Sequence, residues 1–341
     1  MAGGRVSAEP DGPRRVVVLG AAGVVGSWYR ERLLRATDEV TTADLDGDVD
    51  HREDVRAPGP ALREAVATAG AVVLALPEEA AADCLPWLAA SAARDAVVVT
   101  TCSVQRPVFE RAAAEAVPQQ ILGVNPMFSP VLPSEGRPVV LVAPDGDGDG
   151  DADGDGSTGA GVGAGVRAEA ELTLLRERLA EGGMVVTELA PDAHDSAMSY
   201  LQALPHAAVL GFLGALAGSP LDLGTLMRIA PPPARTLVAL ASRILAAPPE
   251  IYWDIQRANA EGGARRGELA EALARLDATV TGGDAEAFRA DLATAARRLG
   301  TYAQTGAEEC QAVFARLQGP SERPGQPGES HPEKPGERGE K

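Results

Sequence analysis

Between residues 14 and 190, short aliphatic and β-branched runs alternate with longer stretches of helical spacing. "RVVVLG" (15–20), "EVTTAD" (39–44), "AVVLAL" (71–76), "AVVVTTC" (96–102), "ILGVN" (121–125) and "PVVLVA" (138–143) read as strands. Residues 27–36, 60–68, 78–92 and 107–116 read as the helices between them, and a helix over 167–181 leads into a last strand, "MVVTEL" (184–189). This alternation predicts βαβ units and a doubly wound, mostly parallel sheet. From about Asp192 to Leu317 strands vanish and helical periodicity takes over. Leu237, Leu240, Ala241, Ile244 and Leu245 share one helix face, as do Phe288, Leu292, Ala295 and Leu299. A helix over 204–218 has little polar face and needs cover on all sides. An all-α domain that buries such a helix is expected to do so by dimerising.

Composition sets the limits of this picture. Residues 1–13, the Asp/Gly tract 145–165 and the Pro/Gly/charge tail 319–341 cannot bury enough apolar surface to offset their ordering entropy, so they are expected to be disordered. The predicted domains are therefore 14–190 and 191–318. The Asp/Gly tract offers calcium-loop registers starting at Asp145, Asp147, Asp149 and Asp151. Each lacks the glutamate that must close such a loop, and a solvated insertion is the better reading. The net charge of −18 argues against nucleic acid and anionic membrane as partners. The apolar run 207–218 is too short to cross a bilayer, and residues 1–15 have no apolar core of a signal peptide, so a cytoplasmic protein is expected. Three cysteines (Cys84, Cys102, Cys310) are too few and scattered for a disulfide frame or a metal site. Both lysines, Lys334 and Lys341, lie in the tail, which removes mechanisms that need a catalytic lysine, β-hydroxyacid dehydrogenases among them.

The first strand runs into Gly20, Ala21, Ala22, Gly23, Val24, Val25 and Gly26, and a helix follows. Small residues there let the backbone turn tightly and approach a pyrophosphate, which sits on the free N–H groups of the helix start. The next strand ends in Asp44, within a few residues of the spacing for a ribose-binding carboxylate. A carboxylate accepts hydrogen bonds from a ribose diol and repels a 2′-phosphate, so NAD is favoured over NADP. The first domain is thus a Rossmann-type dinucleotide-binding domain, and Gly20, Ala21, Gly23, Val24, Val25, Gly26 and Asp44 are its cofactor candidates.

Beyond it, "HDSAMSYLQALPH" (194–206) starts a helix with His194–Asp195, holds Pro205 within the helical pattern, and places His206 after that kink. Arg243 flanks an apolar helix face, where a guanidinium needs a carboxylate or phosphate. Together with "TTCSVQRPV" (100–108), "GVNPMFSP" (123–130) and "ASRILAAPPEIYWDI" (241–255), these segments resemble the prephenate dehydrogenase family over roughly Arg14 to Leu317. The resemblance implies a dinucleotide-binding domain followed by a helical domain that forms a homodimer. It also implies NAD-dependent oxidation of a cyclohexadienol, with loss of CO2, at a site between the domains. By the same resemblance Arg243 matches the arginine that binds the substrate carboxylate. His206 matches a histidine beside the substrate, and Ser103 a serine near the reacting carbon. Tyr252 matches an aromatic position lining the site. Two positions depart from the family: its lysine after that serine is Gln105, and the histidine before its proline is Asn125.

That second departure bears on the chemistry. In the family the histidine takes the proton of the 4-hydroxyl as hydride leaves the same carbon. General-base catalysis is worth roughly 10²–10⁴-fold, and an amide takes up no proton at neutral pH. A 4-amino substrate has no such need, because its nitrogen lone pair stabilises the cation that hydride departure leaves. The family has a 4-amino-4-deoxyprephenate dehydrogenase branch, and the resemblance is strongest there, with Ser103, Asn125 and His206 as the catalytic candidates. Two alternatives stay open. One is ordinary prephenate dehydrogenation, with His206 as base and Asn125 an ordinary turn residue. The other is a non-catalytic NAD(H)-binding dimer.

Overall fold

The computed structural model describes residues 13–144 and 162–318; the N-terminal segment, most of the Asp/Gly tract and the tail lie outside them. In chain order the elements of the first half are β1 (Arg15–Leu19), α1 (Val24–Arg32), β2 (Glu39–Asp44), β3 (His51–Arg52), α2 (Pro60–Thr68), β4 (Ala71–Leu74), α3 (Glu78–Ser91), β5 (Val97–Thr100), α4 (Arg106–Ala114), β6 (Gln120–Pro126), β7 (Pro138–Val142), α5 (Val162–Glu181) and β8 (Val185–Leu189). The strands form one sheet in the order β3-β2-β1-β4-β5-β6-β7-β8. Every neighbouring pair is parallel except β6 and β7. The Rossmann-type expectation holds. The two-residue β3 carries too few positions for a pattern. Residues 162–165, read from sequence as the end of the disordered tract, belong instead to the start of α5.

Alternation along β1 builds the two sides of the core. Val16 and Val18 face one way, with Trp28, Tyr29 and Leu33 of α1 and Leu172, Leu175 and Leu179 of α5. Val17 and Leu19 face the other way, with Leu62 of α2, Leu85 and Leu88 of α3 and Val108 of α4. Each such aliphatic side chain, removed from water, contributes about 1.5–3 kcal/mol. The order reverses between β1 and β4, and the C-terminal ends of the strands at such a switch point are where an open α/β sheet holds its ligand.

The second half is helical: α6 (Pro191–Met198), a π-helical turn (Ser199–Ala203), α7 (Leu204–Ala217), α8 (Leu223–Ile229), α9 (Pro232–Leu245), α10 (Pro249–Ala258), α11 (Gly262–Thr281), α12 (Ala285–Leu299) and α13 (Tyr302–Gln318). The π turn is the backbone's answer to Pro205, which has no N–H to donate. The Leu204 N–H reaches back to the Ser199 carbonyl, and the helix continues without a break. The continuous helix Pro191–Ala217 is long and apolar enough, by length and composition, to cross a bilayer. Reading only the uninterrupted run 207–218 did not reveal this. Its first turns, however, hold His194, Asp195 and Ser199 buried in the protein interior.

By contacts the chain forms two units. One runs to Ala208 and includes Leu245–Ala274; the other comprises Val209–Ile244 and the chain from Arg275 onward. The division does not fall at residue 190, because α6, the π turn and α10 pack with the sheet unit. Of the two apolar faces read from sequence, the first buries Ala241 and Ile244 but leaves Leu240 45% exposed, and the second leaves Phe288 39% and Leu292 56% exposed.

Candidate functional site

The turn after β1 is built for close approach. Gly20 has φ +82°, and a Cβ there would lie 2.1 Å from the Ala75 carbonyl oxygen. A Cβ on Gly26 would lie 2.1 Å from the Gly20 carbonyl oxygen, so α1 can pack this tightly against the turn only with glycine at both positions. Gly20 and Ala21 donate their N–H groups to the Ala43 carbonyl, and Gly23 donates to the Gly20 carbonyl. No side chain caps α1 after Gly23, and its first turn holds no acidic residue. The first N–H groups of the helix, at Val24 and Val25, therefore remain available to an anion. Asp44 ends β2 with one carboxylate oxygen 2.9 Å from the Ala22 N–H and the other 2.7 Å from the Leu45 N–H. Both oxygens keep a lone pair for a diol. These residues fit a dinucleotide with an unmodified ribose.

Beside the ends of β5 and β6, a chain of hydrogen bonds crosses three elements. Asn125 lies within β6, paired with Val140 of β7, and is 2% exposed. It is a strand residue and not the turn that Asn-Pro suggested. Its Nδ2 is 3.0 Å from His194 Nε2, and His194 Nδ1 is 2.7 Å from Asp195 Oδ1. Asp195 also accepts the N–H groups of Gln105 and Arg106, each at 2.8 Å, where α4 begins. The two backbone donors at this helix start occupy both carboxylate oxygens of Asp195. The Asn259 side chain donates to the Asp195 carbonyl at 2.8 Å and ties α6 to the residue after α10.

Ser103 stands in the loop between β5 and α4. Its N–H and that of Val104 donate to the buried Glu78 carboxylate. Burial, above all, holds Glu78 above the usual carboxylate range, with nearby Asp254 adding to the effect. Gln105 does not take the place of a substrate-facing lysine. It is fully buried, donates to the Cys102 carbonyl at 2.6 Å and packs over Gly123, where a Cβ would meet its Oε1 at 2.7 Å. His206 packs edge-on against Tyr252, ring centroids 5.0 Å apart. The structure thus links Asn125 to the His194–Asp195 pair and to the start of α4, holds Ser103 through its N–H on Glu78, and separately joins His206 to Tyr252. Arg243 lies in the second unit, exposed on α9, with no ion pair among the described residues. Cys84 and Cys102 are buried free thiols, Cys84 pushed up to about 12 by burial, which makes both poor nucleophiles.

The family model described as "Prephenate dehydrogenase, dimerization domain" matches residues 190–294. Over 310 residues the chain is 36% identical to 4-amino-4-deoxyprephenate dehydrogenase of Streptomyces pristinaespiralis, covering 89% of this chain and 97% of that protein. The chain belongs to the prephenate dehydrogenase family. Another relative is the T-protein of Enterobacter agglomerans, 25% identical over 85% of this chain and 69% of that one. Among solved structures, prephenate dehydrogenase from A. aeolicus, in complex with hydroxyphenyl propionate and NAD+, has the same fold. Its TM-score is 0.60 at 17% identity, covering 85% of this chain and 99% of that one.

Reading the sequence for this family's motifs missed His194. The sequence marks it only as part of a helix start, yet "HD" at the head of an apolar helix carries the signal: two polar residues beginning a helix that has few others.

Proposed function

We propose that this protein catalyses the NAD-dependent oxidative decarboxylation of 4-amino-4-deoxyprephenate to 4-aminophenylpyruvate, CO2 and NADH. The observation that carries the reading is Asn125: a carboxamide, buried at the end of β6 and tied to His194, stands where the family has a proton acceptor. The 36% identity to a 4-amino-4-deoxyprephenate dehydrogenase supports it.

Bound NAD supplies a hydride acceptor. The chain's own residues do the rest. The start of α1 and Asp44 orient the dinucleotide. Arg243 binds the substrate's carboxylate, and Ser103, His206 and Tyr252 line the reacting ring. As hydride leaves C4, the amine lone pair forms a C=N bond and the product of that step is an iminium. The bond from C1 to its carboxylate then breaks. CO2 departs, and the electron pair flows through the ring to neutralise the nitrogen, leaving an aromatic amine. No proton has to leave nitrogen while hydride leaves carbon, so an acceptor that orients the N–H is sufficient. With a 4-hydroxyl the same path would leave a protonated carbonyl, and the missing base would cost roughly 10²–10⁴-fold.

The active protein is a homodimer in the cytoplasm, paired through the helical unit. Its exposed apolar faces and the matching dimerization-domain model support this. The deciding experiment gives purified protein and NAD either 4-amino-4-deoxyprephenate or prephenate and follows NADH absorbance. The amino compound is expected to have the higher kcat/KM. A preference for prephenate would overturn the substrate assignment, and NADH binding without turnover of either would mark a non-catalytic dimer.

A further inference from the structure

We propose that His194 is a positioning residue that fixes which end of the Asn125 carboxamide faces the substrate. The proposal rests on the reading of Asn125 as the group facing the reacting nitrogen.

A carboxamide is ambiguous: one end donates, the other accepts, and a half-turn exchanges them. In this protein the exchange is blocked by a chain of donors and acceptors. The Asp195 carboxylate, holding the N–H groups of Gln105 and Arg106, can only accept. The ring nitrogen 2.7 Å from it, Nδ1, must therefore carry hydrogen. In its neutral form the imidazole has one N–H, and Nε2 then presents a bare lone pair. At 3.0 Å from that lone pair Asn125 can place only its NH2 end. The carbonyl oxygen is then the end left for the substrate. The ring has no freedom to undo this, because His194 is 0% exposed and held on both nitrogens.

The orientation matters to the chemistry. A carbonyl oxygen accepts an N–H of the substrate amine and leaves the nitrogen lone pair directed at the ring, where it must push hydride out. The reversed amide would donate into that lone pair and withhold it. Losing the orientation should therefore slow the chemical step more than it weakens binding.

The test compares His194→Gln with His194→Leu in the full-length protein with NAD and 4-amino-4-deoxyprephenate. Gln can put an amide oxygen where Nε2 lies and keep an acceptor for Asn125; Leu fills the space and offers none. The Leu variant is expected to lose about tenfold or more in kcat with KM changed less than about threefold, and the Gln variant to recover most of the loss. A change confined to KM, or equal loss in both variants, would overturn the proposal. A second measurement needs neither substrate nor variant. 15N-histidine NMR of the wild-type protein with NAD should show His194 with hydrogen on Nδ1 and none on Nε2. Hydrogen on Nε2 sinks the proposal. Because the tautomer does not depend on which substrate turns over, a wild type that prefers prephenate would remove the functional reading while this result still judged the orientation.

Discussion

Asn125 on β6 and His194 on α6 are 69 residues apart in sequence and meet side chain to side chain at 3.0 Å. On the orientation proposed above, the pair makes a strand residue a hydrogen-bond acceptor of fixed direction. The Asp195 carboxylate behind the ring closes the chain onto the start of α4, so a strand, a helix start and a buried histidine set one amide.

The pair makes Asn125→His informative. A histidine at 125 would add a base at the reacting carbon, with His194 and Asp195 already behind it to receive a proton. We expect kcat/KM for prephenate to rise by about tenfold or more, within the range of general-base effects, while turnover of the amino compound falls. NADH formation from each substrate measures both. Unchanged rates on prephenate would place residue 125 away from the reacting atom.

Removing the end of the chain should cost stability as well as activity. Asp195→Ala strips a partner from the His194 ring and from two backbone N–H groups at the start of α4. Buried donors without acceptors, together with a lost helix cap, cost about 2–4 kcal/mol. Urea unfolding of the wild type and variant gives the difference directly; a loss under about 0.5 kcal/mol would show that water replaces the carboxylate.

Much of this was legible in the sequence, and the reasons differ by element. The inner strands β1, β4, β5, β6 and β7 are buried on both faces and announce themselves as aliphatic runs. The glycine turn is legible because Gly20 and Gly26 sit where backbone oxygens leave no room for a Cβ. The direction of β7 was not legible, since an aliphatic run has no polarity along the chain. The π turn was hidden because Pro205 shows that a backbone bond is lost and not how the helix repairs it. The contact between His194 and Asn125 depends on the rotation of α6 against β6, which no local spacing encodes. Nor did the pattern show that α6 and α10 pack with the sheet unit, because their apolar faces look the same whichever layer they cover.

Cofactor choice tests the first unit alone. Asp44→Ala removes the acceptor for a ribose diol and the repulsion of a 2′-phosphate, and it also frees the Ala22 and Leu45 N–H groups. We expect the KM for NAD to rise about tenfold and the preference for NAD over NADP to narrow. Steady-state kinetics with both cofactors at saturating substrate measures this. A preference that does not move would assign ribose recognition to another residue.

The exposed faces of the helical unit give a prediction about assembly. Leu240 on α9 and Leu292 on α12 are half exposed in the single chain. Glutamate at a truly exposed position changes stability by no more than about 0.5 kcal/mol. The same change in a dimer interface buries an unpaired charge and should separate the subunits. Light scattering after gel filtration of Leu240→Glu and Leu292→Glu is expected to show monomers at micromolar concentration. Unaltered dimers in both would move the interface elsewhere on the unit.

A last prediction concerns pH. Burial raises Glu78 above its ordinary value, so the folded protein prefers the protonated form. Its contribution to stability is therefore greatest at low pH and is lost as pH rises from the unfolded-state value through the folded one. Glu78→Gln keeps an oxygen for the Ser103 and Val104 N–H groups while removing the charge. The variant should melt higher than wild type at neutral pH, and the two curves should converge as pH falls toward the ordinary carboxylate value. Calorimetric melting temperatures across that range decide it. A variant that melts lower at neutral pH would mean that the ionised carboxylate is itself a net stabilising partner of the Ser103 loop, and that its hydrogen bonds outweigh the cost of burying its charge.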